Sequence, residues 1–188
     1  KNITDQCALL LNNNCKLKFV KGDETNHKIT YPVLNEKLNY GIGFDIHRLV
    51  EGKKLYLGGI KIKSNLGTLG HSDGDPVLHS LTDSILGACG MKDIGQMFSD
   101  KKVKYKNIRS TILLKKVVNQ IKNLNYSINN IDINIIAEWP RIQNYKNRMI
   151  KTIAKICEIE TKQINIKGKT TEKFGIIGKE QAIASEVI

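Results

Sequence analysis

Two short blocks, Gly43-Phe44-Asp45-Ile46-His47 and His71-Ser72-Asp73-Gly74-Asp75-Pro76-Val77-Leu78-His79, constrain the folding of this chain most strongly. In an extended strand successive side chains point to opposite faces, so Asp45 and His47 share one face while Phe44 and Ile46 share the other. In the second block Asp75 reads as a helix N-cap and Pro76 as the first helical residue, ahead of the apolar set Val77, Leu78, Leu81, Ile85 and Ala88. His79 lies off that stripe, one turn into the helix. A carboxylate and two imidazoles facing one point make a three-ligand site with a coordination position left open, the pattern of a catalytic zinc. The same spacing also suits polar residues on a solvated strand face beside a satisfied, partly buried histidine. Spacing alone leaves both readings standing.

Hydrophobic periodicity supplies the frame around these blocks. Residues 40–48 and 55–62 read as two strands that pair as a hairpin, with Gly58-Gly59 marking a bulge or a close backbone approach. Helices are expected at 76–89, at 108–124 with Leu113, Leu114, Val117, Val118 and Ile121 on one face, and at 145–157 with Met149, Ile150, Ile153 and Ala154. Ile131, Ile133 and Ile135 alternate with polar residues, as do Ile164 and Ile166, so both segments read as half-buried strands; a last strand falls at 182–188. The order describes an α/β protein of the α+β type, a single domain with a mainly antiparallel or mixed sheet covered by helices on one face. The other face of the sheet then needs a cover, and oligomer packing is one solution.

A chain of 188 residues, 40% of them hydrophobic, suits one domain plus a tail. Residues 1–38 carry clustered Lys and Asn and no sustained period, so they read as an N-terminal extension. A poorly ordered transit-peptide remnant is expected there, with a low-complexity insertion as the alternative. The net charge of +12 points to an anionic partner. Scattered lysines, 6% aromatics and no nucleic-acid module argue against DNA or RNA, and no apolar run is long enough to span a bilayer. Cys7, Cys15, Cys89 and Cys157 lack the spacing of a disulfide framework or a zinc ribbon and are expected as free thiols.

Three glycine-containing segments resemble nucleotide or calcium motifs and fail on inspection. Gly41-Ile-Gly43-Phe-Asp-Ile46 lacks the third glycine of a dinucleotide fingerprint. Gly168-Lys169-Thr170 has Gln163 where a P-loop needs its first glycine, and Ser72-Asp73-Gly74-Asp75 is not an EF-hand loop. Lys169-Thr170-Thr171-Glu172-Lys173, just after a strand, offers hydroxyls, ammonium groups and one carboxylate, which suits phosphate oxygens and a hard divalent cation. An ordinary charged turn looks the same.

Taken in order, Gly-Phe-Asp45-Ile-His47, His71-Ser72-Asp73-Gly74-Asp75, His79-Ser-Leu-Thr-Asp83, Asp93-Ile94-Gly95 and Thr170-Thr171-Glu172-Lys173 resemble the signature of the 2-C-methyl-D-erythritol 2,4-cyclodiphosphate synthase family, from about Asn39 to the chain end. The resemblance implies zinc held by Asp45, His47 and His79, and magnesium or manganese held by Glu172 and diphosphate oxygens. It implies transition-state stabilisation by His71 and Thr170, with Ser72 as a neighbouring phosphate donor. A ribose turn is implied at Asp93, Ile94 and Gly95, and an erythritol segment at Phe98, Ser99, Asp100, Lys101 and Lys102. The cytosine pocket is implied at Ala137, Pro140, Arg141, Ile142 and Gln143, with Arg141 where the family usually has Lys. Ile46, Lys169, Thr171, Ile176 and Lys179 complete the implied substrate contacts; Lys169 replaces a common Thr and Lys179 a common Arg. Asp83 either orients His79 from i+4 or is a plain surface carboxylate, and Trp139 is expected to serve packing.

The family further implies a homotrimer whose sheets face the central axis, with active sites between subunits. Its reaction converts 4-diphosphocytidyl-2-C-methyl-D-erythritol 2-phosphate to the 2,4-cyclodiphosphate with release of CMP. A plastid-type organelle, apicoplast or plastid stroma, is the implied location, or the cytoplasm for a bacterial source. A zinc phosphohydrolase using the same ligands is the competing enzyme reading, and a non-enzymatic nucleic-acid or anion-binding module is the third.

Overall fold

Two glycines set the first departure from these expectations. In this computed structural model Gly43–Glu51 forms β1, and Leu55–Leu57 (β2) and Ile60–Ile62 (β3) form a hairpin of their own. Gly58 and Gly59 close it at φ 57° and 82°. A two-residue turn with both central residues at positive φ matches the twist of its strands, and glycine adopts it without a Cβ clash. The expected pairing of 40–48 with 55–62 is therefore corrected, because β2 spends its hydrogen bonds on β3. β1 pairs antiparallel with Leu66–Thr68 (β4), a strand of three residues too short to show a period, and with the last strand of the chain.

The remaining elements follow as Pro76–Ala88 (α1), Ile94–Met97 (α2), Ser110–Asn123 (α3), Ile131–Ile136 (β5), Lys146–Cys157 (α4), Ile164–Lys169 (β6), Gly175–Gly178 (α5) and Ala182–Val187 (β7). The structure describes residues 38–99, 105 and 108–188, with positions 13, 16, 18 and 21 besides. The leader reading of 1–38 falls almost wholly outside the described residues, as do Asp100, Lys101, Lys102, Cys7 and Cys15. Asn39–Ile188 is one unit. Cys89 and Cys157 are free thiols.

The five-stranded sheet runs β4-β1-β7-β5-β6 and is mixed, with β5 and β6 parallel and the other pairs antiparallel. One face carries Ile131, Ile133, Ile135, Ile164, Ile166, Ile183 and Val187, all buried. α1 lies on β1 and β7, α3 packs on α1, and α4 packs on α3 and β6, so the helices cover that face. On the other face Phe44 and Ile46 stay 58% and 43% exposed, which leaves an apolar patch uncovered in the single chain.

Asp75 fixes where α1 begins. Its carboxylate is fully buried and accepts from Val77 N and Leu78 N, both at 3.1 Å, as an N-cap should. It also accepts from Gly58 N at 2.9 Å and Gly59 N at 2.6 Å, so one side chain joins the helix start to the hairpin turn. The glycine at 43 serves a different end from a nucleotide motif. A Cβ there would stand 1.9 Å from the Ser80 carbonyl oxygen, so its absence lets α1 settle against β1.

Candidate metal centre

That close approach brings a strand face and a helix face together. Asp45 Oδ2 lies 2.8 Å from His47 Nε2 and 2.9 Å from His79 Nδ1, and the two ring nitrogens are 3.3 Å apart. All three residues are half-buried, with Asp45 keeping 24% of its side-chain surface, so the cluster is walled by protein on one side and open on the other.

The outer atoms of both rings settle which nitrogens are free to bind. His47 Nδ1 is 3.1 Å from the Leu69 carbonyl oxygen, which can only accept, so the proton sits on Nδ1. Ser110 Oγ gives its proton to Asp73 Oδ1 at 2.5 Å and accepts from His79 Nε2 at 2.9 Å. Ser72 Oγ lies 2.9 Å from the same nitrogen. Each neutral ring therefore turns a lone pair toward the Asp45 carboxylate. With both rings neutral three acceptors meet with no proton among them, whereas a protonated ring donates its N–H to Asp45.

Such a cluster needs either an extra proton or a cation. Burial works to raise the Asp45 carboxyl, but hydrogen bonds from His47 and His79 and their charge outweigh it and hold it well below the usual carboxylate range. Burial works to lower His79, and the Asp45 hydrogen bond and charge push it up instead. A metal ion resolves the arrangement better, because neutral imidazoles and a carboxylate are its ordinary donors. The 3.3 Å nitrogen separation equals the edge of about 3.3 Å expected for tetrahedral ligands at zinc-like bond lengths, while the two separations from Asp45 Oδ2, 2.8 and 2.9 Å, are those of hydrogen bonds.

Asp73 is the unpredicted member of the surroundings. It accepts from Ser110 N at 3.1 Å, which caps α3 from outside and explains why that helix starts at Ser110 rather than Ile108. Arg109 Nε pairs with its other oxygen at 2.7 Å, while Arg109 Nη2 donates to the Gly59 carbonyl at 3.0 Å and the guanidinium lies 4.0 Å from the Tyr56 ring centre. The Asp73–Ser110–His79 chain thus holds the imidazole in one tautomer, the usual task of residues behind a metal-binding histidine. Replacing Ser110 with alanine is expected to weaken binding of a titrated divalent metal about tenfold, with Ser72 retaining part of the hold. Competition against a chelator measures it, and wild-type affinity in the variant would contradict the role.

The turn of Thr170 and Glu172 forms a second group, and the remaining implied residues are spread over the loop after β5, α5 and the turns before α1 and α2. Thr170 Oγ1 donates to Glu172 Oε1 at 2.7 Å, and Thr171 N donates to Glu138 Oε1 at 2.9 Å. Ala137, Pro140 and Ile142 are buried in the loop after β5, while Arg141, Gln143 and Lys169 are exposed. Ile176 is exposed at α5, with Lys179 at its C-cap. His71 is exposed beside Ser72 in the turn before α1. Asp93 caps α2 through Gln96 N at 2.7 Å, with Ile94 and Gly95 opening that turn. Phe98 is buried edge-on to Tyr105, and Ser99 follows it half-buried. Asp83 does not orient His79, whose two nitrogens are engaged elsewhere. It accepts from Ile94 N at 2.7 Å and ties α2 to α1.

Register places the two groups apart within one chain. Asp45 is level with Ser185, Ser185 with Ile135 and Ile135 with Gly168. Three strand spacings of about 4.8 Å put Thr170 roughly 14 Å across the sheet from His47.

A profile of the YgbB family matches residues 38–188. The chain belongs to the YgbB family. The donor triad lies inside the matched region. The YgbB domain is 47% identical over 148 residues to the 2-C-methyl-D-erythritol 2,4-cyclodiphosphate synthase of Caldicellulosiruptor bescii, a match covering 79% of this chain and 94% of that protein. A solved structure of IspF from Plasmodium falciparum in a CDP complex superposes with a TM-score of 0.71 at 43% identity, covering 80% of this chain and 92% of that one. The bifunctional enzyme IspD/IspF of Pelagibacter ubique is 59% identical over 191 residues, covering 100% of this chain and 52% of that protein. The chain spans about half the length of such bifunctional relatives. The last match runs through residues 1–38. Among the described residues no helix of the YgbB domain is long and apolar enough to cross a membrane.

Proposed function

We propose that the domain closes the 2,4-cyclodiphosphate ring by metal-assisted intramolecular attack. The 2-phosphate of 4-diphosphocytidyl-2-C-methyl-D-erythritol 2-phosphate attacks its own β-phosphorus, and CMP leaves. The convergence of three lone-pair donors on one open point carries this reading. Asp45, His47 and His79 would hold zinc and Glu172 would hold magnesium or manganese; bound there, the two cations would supply Lewis-acid charge to phosphoryl groups. The chain's own residues then position and neutralise. His71 and Ser72 line the turn beside the triad, while Thr170, Thr171 and Lys169 offer a hydroxyl, a backbone turn and an ammonium group to phosphate. Aligning two anionic groups for in-line displacement supplies most of the acceleration, so no covalent nucleophile is needed.

The cytidine end is assigned to the loop 137–143, on the strength of the family match and the CDP complex of the Plasmodium relative. A homotrimer is supported by two features. The Asp45 and Thr170 groups lie too far apart in one chain for a single diphosphate to bridge, and a neighbouring subunit can bring a second copy of either group near. The uncovered Phe44 and Ile46 patch supplies an apolar surface for such packing.

Incubating the metal-loaded protein with this nucleotide tests the proposal. Equal amounts of CMP and cyclic diphosphate, read by phosphorus NMR and chromatography, are expected. An open-chain phosphate product would instead establish a hydrolase. Glu172→Gln should keep the triad's metal but raise the magnesium needed for half-maximal CMP release about tenfold, since a ligand has lost its charge. An unchanged magnesium titration would remove Glu172 from that role.

A further inference from the structure

The turn that carries Thr170 and Glu172 has an uncommon backbone. Glu172 and Lys173 both adopt left-handed conformations, at φ 51° and 64°, and neither is glycine. Residues with side chains enter that region rarely, and two in succession persist only where the surroundings dictate them. Thr171 O accepts from Phe174 N at 2.8 Å and the Thr171 hydroxyl donates to Phe174 O at 2.8 Å, which closes the turn on itself. α5 packs on it through Gly178, whose N–H donates to Phe174 O at 3.0 Å, and Glu138 ties it to the loop after β5. A single oxygen, Oε1, accepts from Thr171 N at 2.9 Å and from Lys173 N at 3.1 Å, with Thr171 Oγ1 3.3 Å away. Those two N–H groups flank Glu172.

Glu138 is itself well anchored. It follows Ala137, whose N–H donates to the Lys169 carbonyl at 2.9 Å and so extends the parallel β5–β6 ladder by one rung. The side chain then reaches across from the loop after β5 to the turn after β6. The hydrogen bond from Lys173 N, joined by those from Thr171, holds the Glu138 carboxyl below the usual range, so the acceptor is ionised at neutral pH.

We infer that Glu138 is a positioning residue: it clamps the left-handed turn so that Thr170 and Glu172 present their oxygens together, and it joins the nucleoside loop to the phosphate turn as one rigid piece. The inference rests on the reading of that turn as the phosphate side of the site. What the clamp requires is an oxygen acceptor, and the negative charge is secondary. Glutamine at 138 keeps the acceptor and alanine removes it.

Two measurements on Glu138→Ala and Glu138→Gln decide the matter. The first is hydrogen exchange of the Thr171 and Lys173 amides in the metal-loaded protein without substrate, expected to speed about tenfold in Glu138→Ala and to stay near wild type in Glu138→Gln. The second is CMP release, with kcat/KM expected to fall about 30-fold in Glu138→Ala and to stay within about threefold of wild type in Glu138→Gln, since small misplacements of aligning groups are costly. Metal held by Asp45, His47 and His79 should be the same in all three proteins. Unchanged exchange in Glu138→Ala, unchanged kcat/KM in Glu138→Ala, or equal damage in both variants would each overturn the clamp. If the wild-type protein releases no CMP, the functional reading fails, while the exchange arm still judges the clamp.

Discussion

His47→Ala or Asp45→Ala is expected to strip the metal from the triad and lower CMP release at least about a thousandfold, while the domain stays folded. The metal effect follows from the donor count. Three protein ligands leave one open position, and two cannot hold the ion while it also takes a phosphoryl oxygen. The fold survives because β1 is secured by its backbone ladders to β4 and β7 and by α1 resting on Gly43, none of which uses either side chain. Metal content, a thermal melt and CMP release on the same preparation separate these effects. Full cyclisation by a variant shown to be metal-free would refute the role of the triad.

The second large effect concerns stability. Asp75→Ala removes a cap from α1 and leaves Gly58 N and Gly59 N without the acceptor they share. A lost N-cap costs about 1 kcal/mol and each of the two stranded donors about 1–3 kcal/mol, so a loss of about 3–7 kcal/mol is expected. That is a large part of a typical domain's stability and corresponds to a fall in Tm of roughly 10–25 °C. Because His79 stands four residues beyond the cap, metal affinity should fall with it. Asp75→Asn keeps one oxygen and should land between alanine and wild type. A melt of Asp75→Ala within a few degrees of wild type would show that water or backbone relaxation satisfies those amides.

The metal triad was legible because each of its parts obeys a local rule. Alternation in a strand put Asp45 and His47 on one face, and an Asp-Pro helix start fixed the direction of His79. Pairing partners are less local. Gly58-Gly59 signalled a backbone irregularity, but whether it bent one strand or reversed the chain depends on what β1 pairs with, and β4 and β7 lie 17 and more than 130 residues along the chain from that strand. Asp73, Ser110 and His79 form their chain across 37 and 31 residues, so no spacing rule could join them. Glu138 carries no local signal of its role, since its partner is the backbone of a turn more than thirty residues away. Asp83 shows the converse: helical spacing placed it near His79, and its oxygen went to Ile94 N instead.

X-ray absorption at the zinc edge of the zinc-loaded protein addresses the triad most directly. Two imidazole nitrogens and carboxylate oxygen at about 2.0–2.2 Å, with one position taken by water, are expected, and His47→Ala should lose the imidazole signal together with the metal. Sulfur in the first coordination sphere, or an unchanged spectrum in His47→Ala, would place the metal elsewhere and contradict the account.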